Sequence, residues 1–376
     1  MSASVPAPFG AVNVARESIS PRVLLVTKGL DIGGLERIVV DLATAMTHRG
    51  VPVEVAVVND RRDQFTAQLI DAGVAVHGLG GTDRIGWRAA RRLAGLVADP
   101  RFDIIHAHGP LPAVLARLTP HHRPVVTTSH TPLGALRLLS RVAWCLTARS
   151  DSSTVAVSAV VAASLPRNIA ARTVVIPHGI DPQAIACTLA SLQCPASPAP
   201  FVNAVTVASH RDAKNYPNLL YAVKVARDLG APLHLLAIGT GPDLERHRNL
   251  ACDLGLSDVV VFQEPARSVL GAIAAGDLLV VASDYEGQPL VVLEALALGR
   301  PVVATAVGRV PELVSPTVGR VVPPGDSQAL GAALAEVAAN PELRESMGRA
   351  ARREGHTWTL GDVVDAHLAL YSGVTR

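Results

Sequence analysis

The sequence predicts an α/β protein of two doubly wound domains whose strand ends face one central cleft. Three observations predict it. A chain of 376 residues is long enough for two domains with a full core each. Short apolar, β-branched runs alternate with longer helical stretches, the pattern of a parallel sheet covered on both faces. The alternation breaks at PQAIACTLASLQCPASPAP (182–200) and then starts afresh.

Residues 1–20 read as a flexible leader. In the first domain (21–181), RVLLVTK (22–28) is a buried strand, and GLDIGG leads into the helical pattern LERIVVDLATAMTHRG, stopped by Gly50. VPVEVAVVN, FDIIHAHG, PVVTTSHT, STVAVS and RTVVIPHG continue the strand series with helices between them. The Pro/Ser/Ala/Cys-rich end of 182–200 marks a linker. The second domain (201–356) repeats the scheme with FVNAVTVAS, APLHLLAIG, DVVVFQE, DLLVVAS and RPVVAT. The tail HTWTLGDVVDAHLALYSGVTR (356–376) is amphipathic after Thr359. Ala/Arg-rich helices (326–354) separate it from the last strand, so residues 357–376 are expected to cross back to the first domain.

Composition narrows the function classes. Hydrophobic residues make up 49% of the chain and charged ones 18%, a globular profile. The net charge of +2 gives no whole-protein drive toward nucleic acid. It hides an asymmetry: residues 1–185 hold 19 Lys/Arg against 13 Asp/Glu, and residues 186–376 hold 15 against 19. A basic first half suits peripheral contact with an anionic membrane surface or a phosphorylated acceptor, although a solvated arginine surface accounts for it as well. Cys145, Cys187, Cys194 and Cys252 show no CxxC spacing, so neither zinc nor a disulfide framework is indicated. The N-terminus lacks the pattern of a signal peptide, and no run approaches the ~20 apolar residues of a membrane helix. A cytoplasmic protein is expected.

Two carboxylates point to a ligand. AGDLLVVAS (275–283) reads as a strand and DYEGQP as a turn. Pro289 suits the first helical position of LVVLEALAL, Gly299 stops that helix, and RPVVAT is the next strand. In such βαβ units the helix N-termini lie at the carboxyl ends of the strands, where α/β folds bind ligands. Glu286 lies in the loop. Glu294 lies little more than a turn into an otherwise aliphatic helix and leans back toward the same crevice. An ionised carboxylate buried without partners costs several kcal/mol. On the helix alone, a buried salt bridge to Arg300 or Arg309 competes evenly with an acceptor for hydroxyls of a bound sugar or ribose.

Other polar groups fall at strand ends. GLDIGGLER (29–37) places Gly33 and Gly34 before a helix, which suits phosphate oxygens on backbone N–H groups. It has neither the GxGxxG spacing of a dinucleotide fold nor the GxxxxGK[ST] of a P-loop, so a dehydrogenase is disfavoured. HAHG (106–109) sets two histidines on one side of a strand end. Without an Asp, Glu or Cys partner, a supporting or acceptor-side contact for His108 is preferred over metal. His130 follows PVVTT at another strand end. Only three of the 34 basic residues are lysines, and Lys214 sits in the strand-end loop ASHRDAKN (208–215), where a point charge suits a phosphate. Gly239 opens a second glycine loop, GTGPDLER (239–246).

GGLERIVVDLA, DIIHAHG, VAVSAVV, VVIPHGID, IGTGPDLE, EGQPLVVLEALALGRPVVATAVGRVPELV and VVPPGD together resemble the family-4 glycosyltransferases of the GT-B fold, two Rossmann-like domains about a cleft. The resemblance runs over nearly the whole chain from about Pro21, and the E-x7-E element is its most specific part. It implies a nucleotide-sugar donor as co-substrate, transfer with retention of configuration, and no bound cofactor or metal. Glu294 would hold the donor ribose and Glu286 lie beside the donor sugar. The turn Gly287, Gln288, Pro289 and Leu290 would present its backbone, with N–H groups on every residue but Pro289, while Gly33, Gly34 and Gly239 border the phosphates. Lys214 would bind the diphosphate and stabilise it as it leaves, with His130 near the reacting carbon and the acceptor. The acceptor itself, whether glycan, lipid or small molecule, is not encoded legibly.

One departure stands out. The family pattern R-L-x-x-x-K has Ser209-His210 at its first two positions here, leaving Arg211 as the nearest cation. Arg211 either supplies the missing charge or donor binding is weaker. Two other readings therefore stand beside the transferase: a sugar-nucleotide epimerase and a catalytically inactive nucleotide-sugar binder.

Overall fold

Seven parallel strands order the first half of the chain: β1 (Val23–Thr27), β2 (Val53–Val57), β3 (Ala75–Gly78), β4 (Ile104–His108), β5 (Val125–Ser129), β6 (Ser153–Ala156) and β7 (Thr173–Val175). They lie in the order β3-β2-β1-β4-β5-β6-β7. The computed structural model describes residues 20–82, 86–191, 201–265, 269–355 and 359–375. Residues 1–19 of the expected leader and 192–200 of the expected linker lie outside those residues. β1 and β4 are inner strands buried along their length; β1 is apolar up to Thr27, whereas β4 buries two histidines, His106 and His108, among its aliphatic residues. β3 was not anticipated. It is a four-residue edge strand, largely open to solvent, whose side chains carry no buried-strand pattern.

A second sheet has six parallel strands: β8 (Val202–Val207), β9 (Leu233–Ile238), β10 (Val260–Gln263), β11 (Leu278–Val281), β12 (Val302–Thr305) and β13 (Gly319–Val322). Their order is β10-β9-β8-β11-β12-β13. In each sheet the order reverses beside the first strand, at β1/β4 and β8/β11, and there the loops splay apart to leave a crevice. Each sheet carries two large core clusters, as expected when crossover helices cover both faces. The helix Gly34–His48 covers one face of the first sheet, with Val39, Val40, Leu42, Ala43 and Met46 buried.

The chain changes domains twice, and the two crossings lie side by side. The segment expected to be a linker is helical over Pro182–Ser191, and its Ile185 packs into the second domain's core. Asp181 caps this helix with a carboxylate that accepts from the N–H groups of Gln183 and Ala184. Thr359 pairs with Ile180 as the chain returns. The helix Leu360–Val374 then buries Val364 and Tyr371 in the first domain's core. Tyr371 also meets His106, hydroxyl to Nδ1 at 2.6 Å. No helix among the described residues is long and apolar enough to cross a membrane.

Candidate active site

Between the two sets of strand ends lies a cleft of about 400 Å³, lined by residues of both domains. That volume falls in the range of small-ligand sites.

From the first domain, Gly33 caps the helix Gly34–His48 in extended conformation without a capping side chain of its own, and the Glu36 carboxylate of the first turn lies beside it. Gly34 lines the cleft, and a Cβ there would meet nothing within 4 Å. The protein itself thus does not require glycine at 34. Gly33 differs, because its Cβ would collide with the Glu36 carboxylate. Gly34→Val should therefore leave melting temperature within a few degrees of wild type while weakening diphosphate binding at least tenfold. Calorimetry with nucleoside mono- and diphosphates reads that difference.

From the second domain comes Lys214. Asn215 follows it in the left-handed region (φ 42°), which Asn tolerates, and caps the helix Tyr216–Asp228 by accepting from Asn218 N–H. The Asn215 amide donates to Asp284 at 2.7 Å, and Asp284 N–H donates to the Ala213 carbonyl at 2.9 Å. These bonds tie the lysine loop to the carboxylate loop. Lys214 Nζ lies 2.5 Å from Glu286 Oε1, which also accepts from Ser283 Oγ at 2.8 Å. In this state the lysine's charge is already matched by a carboxylate.

The helix carrying Glu294 runs Leu290–Ala297 with Pro289 as its cap, so it begins one residue after the expected helical start at Pro289. Glu294 lines the cleft, and among the described residues no hydrogen-bond donor is seated on its carboxylate. Burial pushes its carboxyl up to about 7, opposed by Arg37 and reinforced by Asp41. The cation set against Glu294 is thus Arg37, from the opposite domain. Arg309 instead bonds Glu312 and Gln288, and Arg300 donates to the Ala274 carbonyl. The salt-bridge alternative from sequence named the wrong arginines because Arg37 is 257 positions away in the chain. Arg37 is itself held by Asp41, Nε to Oδ1 at 2.8 Å.

Gly287 and Gln288 hold the domains together. A Cβ on Gly287 would overlap the His130 carbonyl. The Gln288 amide donates to the His178 carbonyl at 2.9 Å and accepts from His178 N–H at 2.7 Å. Its side chain is spent on this interdomain clasp, and Gly287, Gln288, Pro289 and Leu290, the turn whose backbone was expected at the donor, all line the cleft. Gly239 borders the cleft too, but its missing Cβ makes room for the Ala208 carbonyl.

His130 lines the cleft, and histidines stand on both sides of it. Its Nε2 lies 3.2 Å from His108 Nδ1, and its Nδ1 lies 3.4 Å from His178 Nε2. Burial holds His130 down to about 3, so the ring is neutral. His108 does not reach an acceptor surface as expected. It is buried behind His130, and its unpartnered Nε2 belongs to a residue lining a small space of about 20 Å³. Room for one water is what that volume offers. His178, inside VVIPHGID, was not singled out from sequence, because a histidine after a strand signals nothing until its neighbours are known. Among the described residues no group of three or more His, Cys, Asp or Glu is placed to hold a metal ion.

Arg211 is exposed, and it is not among the residues lining the cleft, whereas Ser209 and Arg37 are. The loop does not bring Arg211 round to replace the missing arginine. His210 explains part of the change: it is buried, stacked on Tyr216 at 3.9 Å and 2.9 Å from His247 through Nδ1. Arg211→Ala should change nucleoside-diphosphate affinity less than twofold in calorimetry, an effect within the range of a surface substitution.

Comparison with known proteins agrees with this geometry. Residues 32–184 match the model of Glycosyltransferase Family 4, and residues 200–354 match that of Glycosyl transferases group 1. The chain belongs to glycosyltransferase family 4. It is 36% identical over 160 residues to the D-inositol 3-phosphate glycosyltransferase of Saccharomonospora viridis, a match spanning 40% of this chain and 37% of that one. It is 26% identical over 320 residues to the MMP alpha-(1->4)-mannosyltransferase of Mycolicibacterium hassiacum, spanning 76% and 73%. An Anabaena protein, HepE, solved in complex with UDP and glucose, superposes with a TM-score of 0.77 at 21% identity, over 94% of this chain and 99% of that one. The sucrose-phosphate synthase of Thermosynechococcus elongatus superposes at 0.78 with 20% identity, over 94% and 99%. This family 4 chain has the GT-B fold, and its two sheets are the two Rossmann-like halves of that fold.

Proposed function

We propose that the protein is a retaining, metal-independent glycosyltransferase that moves a sugar from a nucleotide-sugar to an acceptor hydroxyl. The observation that carries the reading is Glu294: a carboxylate presented to a nucleotide-sized cleft with no donor on it among the described residues. Ribose hydroxyls are suited to take its free lone pairs. UDP in the Anabaena neighbour makes uridine nucleotides the first to test.

Donor diphosphate would lie between the N-terminus of the helix Gly34–His48 and Lys214, where backbone N–H groups and an ammonium meet. The bond from the anomeric carbon to the diphosphate oxygen breaks, and a bond to the acceptor oxygen forms on the same face. The acceptor's proton passes to the departing diphosphate, whose new charge Lys214 stabilises. Glu286, at 2.5 Å from Lys214, holds the ammonium in place and borders the sugar. His130, being neutral, orients the acceptor or sugar by hydrogen bonding rather than by charge.

Incubation with UDP-glucose and other nucleotide-sugars, preceded by a thermal-shift screen of nucleoside diphosphates, tests this. Slow donor hydrolysis, with transfer once an acceptor alcohol is present, is expected. Conversion of the donor to its epimer with no acceptor would make the protein an epimerase. Nucleotide binding with neither reaction would make it an inactive binder.

A further inference from the structure

One helix of the first domain is exposed in a way the transfer reaction does not require. Leu138–Thr147 follows the His130 loop, and it turns Leu138 (63% exposed), Leu139 (84%), Val142 and Leu146 (77%) to solvent. Only Trp144 is buried from it. Positions 138, 142 and 146 are spaced by four, so the leucines and valine share one stripe. Arg137, Arg141 and Arg149 flank that stripe, and among the described residues none of the three is in an ion pair. No Asp or Glu occurs anywhere from Ile104 to Ser150. The face thus offers apolar side chains and unmatched guanidinium groups, and nothing else charged. Several other arginines of this domain do have acidic partners: Arg117 has Asp151, Arg37 has Asp41 and Arg101 has Asp99.

We propose that the helix Leu138–Thr147 docks the protein on an anionic lipid bilayer. Leucines at the headgroup boundary lose their contact with water while flanking arginines reach phosphates beside them. At ten residues it is about 15 Å long, enough for a shallow anchor lying in the interface and too short to span one. A second copy of this chain is a poor occupant. A two-fold contact would set the same unmatched arginines against themselves, with no acidic residue on the face to separate them. Because the helix directly follows the His130 loop, docking would bring the membrane to the side where the first domain borders the cleft. The inference goes beyond the transfer reaction, and lipid binding can fail or hold independently of donor binding.

The test uses the full chain with vesicles of phosphatidylcholine alone or mixed with phosphatidylglycerol, read by co-flotation at several salt concentrations. Wild type should partition onto the mixed vesicles at least tenfold better than onto phosphatidylcholine, and salt should weaken it. R137Q/R141Q/R149Q should lose on the order of 100-fold. L139S/L146S should lose at least tenfold on mixed vesicles, while melting temperature and diphosphate affinity stay as in wild type. Equal partitioning onto both vesicle types, or variants that bind as wild type does, would overturn the proposal. So would a dimer in sedimentation velocity that L139S/L146S dissolves, since a second copy would then cover the face.

Discussion

Lys214→Ala should lower turnover about 100- to 1,000-fold, the range seen when one group stabilising transition-state charge is removed. The effect is expected to fall on kcat more than on nucleoside-monophosphate affinity, because the second phosphate is what the lysine is proposed to hold. Removal also strands a carboxylate. Glu286 is largely buried and sits 2.5 Å from the ammonium, so without Lys214 its charge would face the incoming diphosphate. Part of the loss is therefore repulsion, not lost attraction. The double variant Lys214→Ala/Glu286→Gln separates the two: if repulsion matters, it should bind diphosphate better than Lys214→Ala alone, while turnover stays low. Equal loss of mono- and diphosphate affinity in Lys214→Ala would remove the lysine from the diphosphate site.

Much of this site was legible because its parts are local. Gly34, Lys214, Glu286 and Glu294 each sit in a short strand-end loop or first helical turns, and a doubly wound sheet sends all such loops to one side. Which groups meet across the cleft was not legible. Arg37 opposite Glu294, Gln288 on the backbone of His178, and Gly287 against His130 are contacts between domains, and no spacing along the chain encodes them. The same reason explains His108. On a strand, alternate residues share a face, so His106 and His108 were correctly placed together. That their face lies beneath His130 and the returning C-terminal helix depends on how the tail packs. The edge strand β3 escaped for an energetic reason: an edge needs little apolar burial, so its sequence carries little signal.

Glu294→Gln should weaken donor binding about 10- to 100-fold, since a hydrogen bond to a charged acceptor contributes about 1.5–3 kcal/mol. The pH dependence distinguishes this from a structural effect. Burial raises the Glu294 carboxyl to about 7, above its unfolded value of 4.5. Hydroxyls of a bound ribose favour the ionised form, so wild-type donor affinity should climb as pH rises toward 7 and level off above it. On the acid side the fall approaches tenfold per pH unit. The Gln variant has no such proton to lose, and its affinity should be flat across that window. Stability without ligand runs the opposite way. A carboxyl raised on folding contributes stability that is fully present below pH 4.5 and lost as pH climbs through 7. Because Glu294 keeps part of its surface open to the cleft, that loss is at most about 3 kcal/mol. Glu294→Gln, spared this loss, should melt above wild type at pH 8 and no higher than wild type at pH 4.5. A residue kept only for the fold would not reduce stability at the pH where it improves donor affinity. Wild-type affinity that is flat from pH 6 to 8 would mean that Arg37, across the cleft, already keeps Glu294 ionised. In that case Arg37→Gln should restore the pH dependence, and its failure to do so would take Glu294 out of the donor site.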